Sequence, residues 1–455
     1  MKLSKPVISL VSLGCAKNEV DSEHVLGSLL QDGFIFAEDP RDADICLVNT
    51  CGFIESARDE TRETLETLVA RKKNGRPRFV VALGCMVERA ADYPAFADVL
   101  AACDLRISFF DYPRLASLCR KLLDETAEEK PRPDILSTGP RIRIGMPHLA
   151  NLKISEGCSN GCSFCSIPRM RGRQISRPSA EIIAEAVSLA ENGAKEISII
   201  AQDSTSYGKD LFGKPALAAL LRELAAALPQ NIWIRLMYAY PRFLSEEVLQ
   251  VMAGDRRFCR YVDIPLQHVS DRILKAMGRG TNRKQIEAQL QQIRTVLAPA
   301  SIRTTFITGF PGETDEEFEE LLEFVREQEF NHLGAFTYSP EPLTAAAELP
   351  DDIPQKIKEA RRDRLMAEQM EISHRLLQEL EGQTVDVMID QQVSKPNDLL
   401  PHDCIALGHT RQQSPDADGL VILRGKRDRK LSPGLVIPVR ITTAMDYDLI
   451  ARPVQ

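Results

Sequence analysis

At 455 residues the chain is long enough for two or three domains with separate cores, and its 44% hydrophobic and 27% charged content is that of an ordinary globular protein. Its 57 basic and 65 acidic residues leave a net charge of −8, which excludes a globally basic nucleic-acid-binding surface. Eleven cysteines, an odd and clustered number, point to metal or redox chemistry in a reducing cytosol rather than a disulfide scaffold. No apolar run approaches the ~20 residues of a membrane helix.

The opening "MKLSKPVISLVSLGC" faintly resembles a lipoprotein signal ending at Cys15. Its apolar stretch is at the short limit for such a signal, and the same Leu-Gly-Cys ending recurs at 83–85, where no signal could sit. Residues 5–120 alternate strand-like and helical runs: "PVISLVSLG", a helix stopping at Gly33, "ADICLVNT", a helix over 56–72, then "RFVVALG". Short buried strands alternating with helices predict a parallel sheet covered on both faces. Residues 121–143 are charged and Pro-rich and read as a linker.

From 146 to about 350, within a central domain expected over 144–381, the rhythm returns, with strands expected in "AKEISIIAQD", "NIWIRLMYAYP", "RYVDIPLQH", "SIRTTFITGFPGE" and "HLGAFTYSP". Such a series predicts a full or partial β/α barrel with its chemistry at the C-terminal strand ends. One long charged amphipathic helix is expected over 354–381. Over 382–452 the pattern turns to period two, in "TVDVMID", "CIALGHT", "GLVILRG" and "LVIPVRITTA", and predicts a small β-barrel. The class expected is therefore α/β: an N-terminal parallel α/β sheet domain, a central partial β/α barrel and a C-terminal small β-barrel.

The strongest chemical signal is "EGCSNGCSFCSIP", with Cys158, Cys162 and Cys165 spaced C-x3-C-x2-C. Thiolates hold iron–sulfur clusters, and three close ligands leave one iron of a four-iron cluster open. Zinc more often takes paired C-x2-C units, and three free buried cysteines are the plain alternative. Gly157 and Gly161 suit a tight loop around a cluster. Cys15, Cys51 and Cys85 each end a strand-like run, about one βα unit apart. Parallel strands would bring those ends to one edge of the sheet, where α/β folds bind ligands. Gly14, Gly52 and Gly84 beside them permit close backbone approach. Small buried hydrophobes are the alternative for these three, and the favoured reading for Cys46, Cys103, Cys119, Cys259 and Cys404.

The Cys158 triplet resembles the radical S-adenosylmethionine (SAM) superfamily, in which the open iron binds SAM and the reduced cluster cleaves it to a 5′-deoxyadenosyl radical. Phe164 fills the aromatic place common there between the last two cysteines, and it could equally be a core residue. Two three-cysteine groups in this order resemble the methylthiotransferases over nearly the whole chain: a cysteine-bearing N-terminal domain, a radical SAM domain and a TRAM β-barrel. The matching stretches are "NTCGFIESARDE", "LGCMVER", "IPRMRGRQISRP", "IAQDSTSYG", "IPLQHVSDRILKAMGRG" and "ITGFPGETDEEF". "SLGCAKNEVDSE", "TCGFIESA" and the closing "TTAMDYDLIA" resemble the RimO branch, which modifies a ribosomal protein, more than the tRNA-modifying branch. "SPEPLTAAAELP" departs from the family's usual Glu-Gly-Thr-Pro-Ala-Ala segment and puts only local contacts in doubt.

The resemblance implies two [4Fe–4S] clusters, one on Cys15, Cys51 and Cys85 and one on Cys158, Cys162 and Cys165, with SAM as cosubstrate. It implies methylthiolation of an aspartate β-carbon in small-subunit ribosomal protein twelve, free or within the subunit. One SAM would yield the radical that takes the substrate hydrogen, and another would methylate the sulfur held by the N-terminal cluster. An electron donor, a cytoplasmic location, no membrane and a monomer complete the expectation. Gln202, Asp203, Thr308 and Gly309 sit at strand ends that match radical SAM contact regions, while His268 could face the site or be a satisfied core histidine. Residues 383–455 carry nine Asp and no Glu against three Lys and six Arg, a net of zero. A barrel that grips RNA needs basic surface, so this balance favours a basic protein substrate over tRNA, with "RGKRDRK" (424–430) the one basic cluster.

Overall fold

The computed structural model describes residues 5–73, 75–124, 139–395, 399–415, 417–427 and 430–454. Most of the expected linker and two residues of the 424–430 basic stretch lie outside them. The chain forms two compact bodies. The first holds Met1–Ile144 with Glu156–Cys158 and Ser166–Arg173; the second holds Gly145–Ser155, Ser159–Cys165 and Gln174–Gln455.

In the first body, strands β1 (Val7–Ser12), β2 (Ile35–Phe36), β3 (Ile45–Thr50), β4 (Phe79–Gly84) and β5 (Leu105–Ile107) form a parallel sheet in the order β2-β1-β3-β4-β5. Every residue of β3 is buried, as a central strand covered on both faces requires. Ile8, Ile45, Leu47, Val81 and Leu83 face one core; Cys46, Val48, Val80 and Ala82 face the other. Helices α1 (Ala16–Gln31) and α2 (Glu55–Lys72) follow β1 and β3. Helix α1 begins earlier than its apolar pattern suggested, because the chain turns directly after Cys15. Sequence pattern missed β5, three residues too short and too polar to show a period.

The second body contains a six-stranded parallel sheet and a closed barrel. The sheet runs β13-β12-β11-β10-β9-β6, from β6 (Leu149–Lys153) through β9 (Glu196–Ile200), β10 (Trp233–Leu236), β11 (Phe258–Asp263), β12 (Ser301–Thr308) and β13 (His332–Thr337). It is an open, partial barrel; β7 (Ser155–Glu156) and β8 (Ile175–Ser176) are two-residue strands outside it. Leu152, Ile197, Ile199, Ile234, Val262, Ile302 and Phe306 supply its core. Four of its helices start on chemical caps: Ser245 and Ser270 accept from first-turn amides, and Asn282 and Thr314 form reciprocal capping boxes with Gln285 and Glu317. The long helix spans Gln355–Gln378.

Strands β14 (Thr384–Gln392), β15 (Cys404–Thr410), β16 (Val421–Arg424), β17 (Val436–Ala444) and β18 (Leu449–Pro453) close in the order β14-β15-β16-β18-β17. β18 escaped the period-two pattern, yet it pairs with both β16 and β17 and removes the barrel's open edge. A buried polar cluster joins this barrel to the six-stranded sheet. Arg235 Nε and His409 Nε2 reach the Glu196 carboxylate at 2.6 and 3.0 Å, while His409 Nδ1 and His148 Nε2 each lie 2.8 Å from Asp390. Burial alone would raise the Glu196 carboxyl, but Arg235 and His409 hold it at about 2. Burial would lower the His409 imidazole, but the two carboxylates raise it to about 9.

Candidate functional site

The register of the N-terminal sheet decides where its cysteines go. Ser12 pairs with Asn49, and Asn49 with Leu83, so β1, β3 and β4 end level. Cys15 then caps the start of α1, Cys51 directly follows β3, and Cys85 opens the short helix α3 (Cys85–Glu88). Cys15 thus lies three residues past its strand rather than at its end. Cys15 is exposed, whereas Cys51 and Cys85 are buried.

Side chains lock these turns together. Asn18 Nδ2 donates to the carbonyls of Leu13 (2.6 Å), Asn49 (3.1 Å) and Thr50 (3.3 Å), tying the Cys15 turn to the Cys51 turn. Thr50 Oγ1 donates to Leu83 O at 2.7 Å and accepts from Met86 N at 3.1 Å, tying Cys51 to Cys85. Gly14 and Gly84 have φ of +87° and +90°; a Cβ would fall 2.8 Å from Cys51 Sγ at the first and 2.2 Å from Asn49 Oδ1 at the second.

Arg171 also enters this group. Its Nε and Nη2 each lie 3.4 Å from Cys85 Sγ. Nη1 reaches Asp21 Oδ2 at 2.5 Å and Glu156 at 3.2 Å, Nη2 reaches Asn18 Oδ1 at 3.1 Å, and the guanidinium lies over the Phe109 ring. Burial pushes the Cys85 thiol up to about 11, and the Arg171 charge opposes that rise. Burial likewise raises the Cys51 thiol.

The second group is carried on one loop. Cys158 belongs to the first body, where its N–H donates to Gly172 O at 3.1 Å. Cys162 and Cys165 belong to the second. Cys162 Sγ accepts from Arg279 Nη1 at 3.4 Å and lies 4.0 Å from Tyr240 Oη. Arg279 lies over the Tyr240 ring, and Tyr240 Oη donates to Arg279 O at 2.7 Å. Ser163 N and Oγ donate to Met277 O and Ala276 O, and Asn160 Nδ2 donates to Asp203 Oδ2 at 2.8 Å. Gly157 is sterically required, since a Cβ would meet Arg173 O at 2.4 Å; Gly161 has open space and no such need.

The expected SAM-contact residues are placed as follows. Phe164 packs against Ile273, Met277, Phe310, Tyr338 and Ala346. Gln202 and Asp203 follow β9, and Asp203 also caps the turn Ser204–Ser206. Thr308 is buried and donates to Lys358 O at 3.1 Å, while Gly309 N donates to Glu313 Oε2 at 2.7 Å. His268 is buried, its Nδ1 accepting from Ser270 N at 3.0 Å and its Nε2 3.7 Å from Glu313. Cys46, Cys103, Cys119, Cys259 and Cys404 are all buried.

Among the described residues no three His, Cys, Asp or Glu side chains converge on a single metal ion. Cluster ligands bind separate irons and do not need to converge. The donor set fits such a group: three soft thiols at one sheet edge, with a buried cation on one sulfur. Sequence reasoning missed Arg171, Asn18 and Arg279. Arg171 and Arg279 sat unread inside "IPRMRGRQISRP" and "LKAMGRG", since a buried arginine looks like any other arginine in sequence.

Residues 152–325 match the family described as Radical SAM superfamily, 7–99 the Uncharacterized protein family UPF0004, and 382–454 the TRAM domain. The chain is 43% identical over 452 residues to the ribosomal protein uS12 methylthiotransferase RimO of Syntrophus aciditrophicus, covering 98% of this chain and 97% of that one. It is 42% identical to the protein of the same name in Anaeromyxobacter sp. (strain K), covering 97% and 92%. In fold it is similar to the radical S-adenosylmethionine methyltransferase TsrM of Kitasatospora setae, with a TM-score of 0.55 and 16% identity over 76% of this chain and 74% of that one.

Proposed function

The chain belongs to the RimO family of ribosomal protein uS12 methylthiotransferases, and from that premise we propose how its residues divide the work. It is a radical SAM methylthiotransferase that acts on an aspartate β-carbon of uS12, free or within the ribosomal subunit. Cys158, Cys162 and Cys165 hold one [4Fe–4S] cluster, and Cys15, Cys51 and Cys85 hold a second. When bound, the first cluster with SAM supplies the radical oxidant that an unactivated C–H bond requires, and the second supplies an open iron for sulfur. The domains run 5–120, 144–381 and 382–452, with 121–143 as linker. An external electron donor, a cytoplasmic location beside the ribosome and a monomeric state complete the proposal. Among the described residues no helix is long and apolar enough to cross a membrane.

The protein's own groups prepare these centres. Arg279 points an N–H donor at Cys162, and the Arg171 donors on Cys85 favour the thiolate that a cluster needs there. The buried Cys85 thiol, with its pKa near 11, releases its proton when it becomes a ligand. Asp203, through Asn160, holds the loop before Cys162; Asp203, Gln202, Thr308 and Gly309, from their strand-end positions, and Phe164, from its place between the cysteines, are assigned as the SAM contacts.

The observation that carries the two-cluster proposal is the level ending of β1, β3 and β4, which gathers three cysteines from separate βα units. Reconstituted enzyme, incubated with SAM, sulfide and reductant, should add a methylthio mass to uS12 and none to tRNA. Methylthio mass on tRNA alone would refute the substrate.

A further inference from the structure

Arg171 ties the cysteine loop's exit to the N-terminal trio. It lies 6 residues (171 − 165) past Cys165, yet both it and Cys85 belong to the first body. Its position is over-determined: two N–H groups on one sulfur, one nitrogen on Asp21, an amide partner in Asn18 and a ring beneath. A salt bridge to Asp21 alone would need none of the sulfur contacts. The guanidinium is almost wholly screened from water, its side chain 2% exposed and that of Asp21 0%. In such surroundings a fixed charge acts strongly on its neighbours.

We propose that Arg171 sets the reduction potential of the cluster held by Cys15, Cys51 and Cys85, acting as a positioning residue through the Cys85 sulfur, with Asp21 and the more distant Glu156 as the counter-charges that limit its effect. This rests on the two-cluster assignment above. Donors and positive charge at a ligand sulfur stabilise the more negative, reduced cluster and raise its potential. Asp21 takes back part of that field, because its carboxylate lies 2.5 Å from the same guanidinium. The two residues therefore push the potential in opposite directions. Arg279 on Cys162 is the contrast: among the described residues it makes no ion pair, only contacts with Cys162, Pro265 O and the Tyr240 ring.

The test is a redox titration followed by electron paramagnetic resonance on the reconstituted full chain carrying Cys158→Ala, Cys162→Ala and Cys165→Ala, so that the N-terminal centre is read alone. Arg171→Met should shift the reduction equilibrium about tenfold toward the oxidised form, ~59 mV more negative. Arg171→Lys, which keeps the charge but loses the forked donor, should fall between. Asp21→Asn should move the potential the other way, so a variant that loses its cluster on losing Arg171 still leaves the sign testable. Potentials that stay put in Arg171→Lys and Asp21→Asn, with about four irons retained, overturn this inference alone. A parent chain without iron overturns the two-cluster assignment and this inference together.

Discussion

The two cysteine trios are built in opposite ways. Cys15, Cys51 and Cys85 come from three βα units and meet only because β1, β3 and β4 stay in register. Cys162 and Cys165 sit on one short loop pinned by side-chain and backbone hydrogen bonds to its neighbours. The first arrangement is a property of a folded domain, and the second is largely a property of a peptide. Damage to the sheet should therefore cost the first centre outright, and loss of single clamps should only loosen the second.

The largest expected effect comes from Gly84→Ala. Its positive φ and the 2.2 Å approach to Asn49 Oδ1 force strain and overpacking between β3 and β4. The cost is about 3 kcal/mol of stability, seen in denaturant unfolding, with iron falling by about half as the N-terminal centre is lost. Retained iron in a stable Gly84→Ala chain would break the comparison. Asn160→Ala is the milder counterpart. Losing its bond to Asp203 should cost about 1 kcal/mol, or roughly fivefold in SAM affinity by equilibrium dialysis, with iron unchanged.

The smallest effect lies outside both trios, at the junction of the barrel and the six-stranded sheet. His409 has a folded pKa of about 9 against an ordinary 6.5, so the stability it contributes is whole below about pH 6.5. That contribution is lost as pH rises through about 9. Trp233, the sole tryptophan, stacks edge-on against His409 with ring centroids 5.7 Å apart, so its fluorescence reports this junction. Emission should change as pH rises through about 9, and His409→Gln should abolish that titration. A pH-independent signal in the unsubstituted chain would contradict the assigned charge state.

Much of this architecture was legible in sequence, because long apolar runs at βα spacing and period-two runs after 382 leave few alternatives. The level strand ends were foreseeable too, since parallel pairing follows from the βα rhythm. What escaped were elements whose position is decided by their neighbours. β5, β6 and β18 are short and mixed in polarity, and exist because a sheet edge or a barrel seam awaits them. Gly161 looked like a turn requirement by analogy with Gly157, but only Gly157 faces a carbonyl wall. Thr308 and Gly309 are read from their strand-end position and its match to radical SAM contact regions; their hydrogen bonds to Lys358 and Glu313 involve residues 4 to 50 positions away. Arg171 finds Cys85 across 86 residues, a pairing no local pattern encodes.

The central claim is that two separate cysteine trios each hold a cluster. Iron and sulfide analysis of the reconstituted chain beside a Cys15→Ala, Cys51→Ala, Cys85→Ala variant tests it most directly. The account predicts about eight irons falling to about four, with SAM cleavage to 5′-deoxyadenosine retained and methylthio transfer lost. Equal iron in the two proteins would contradict it.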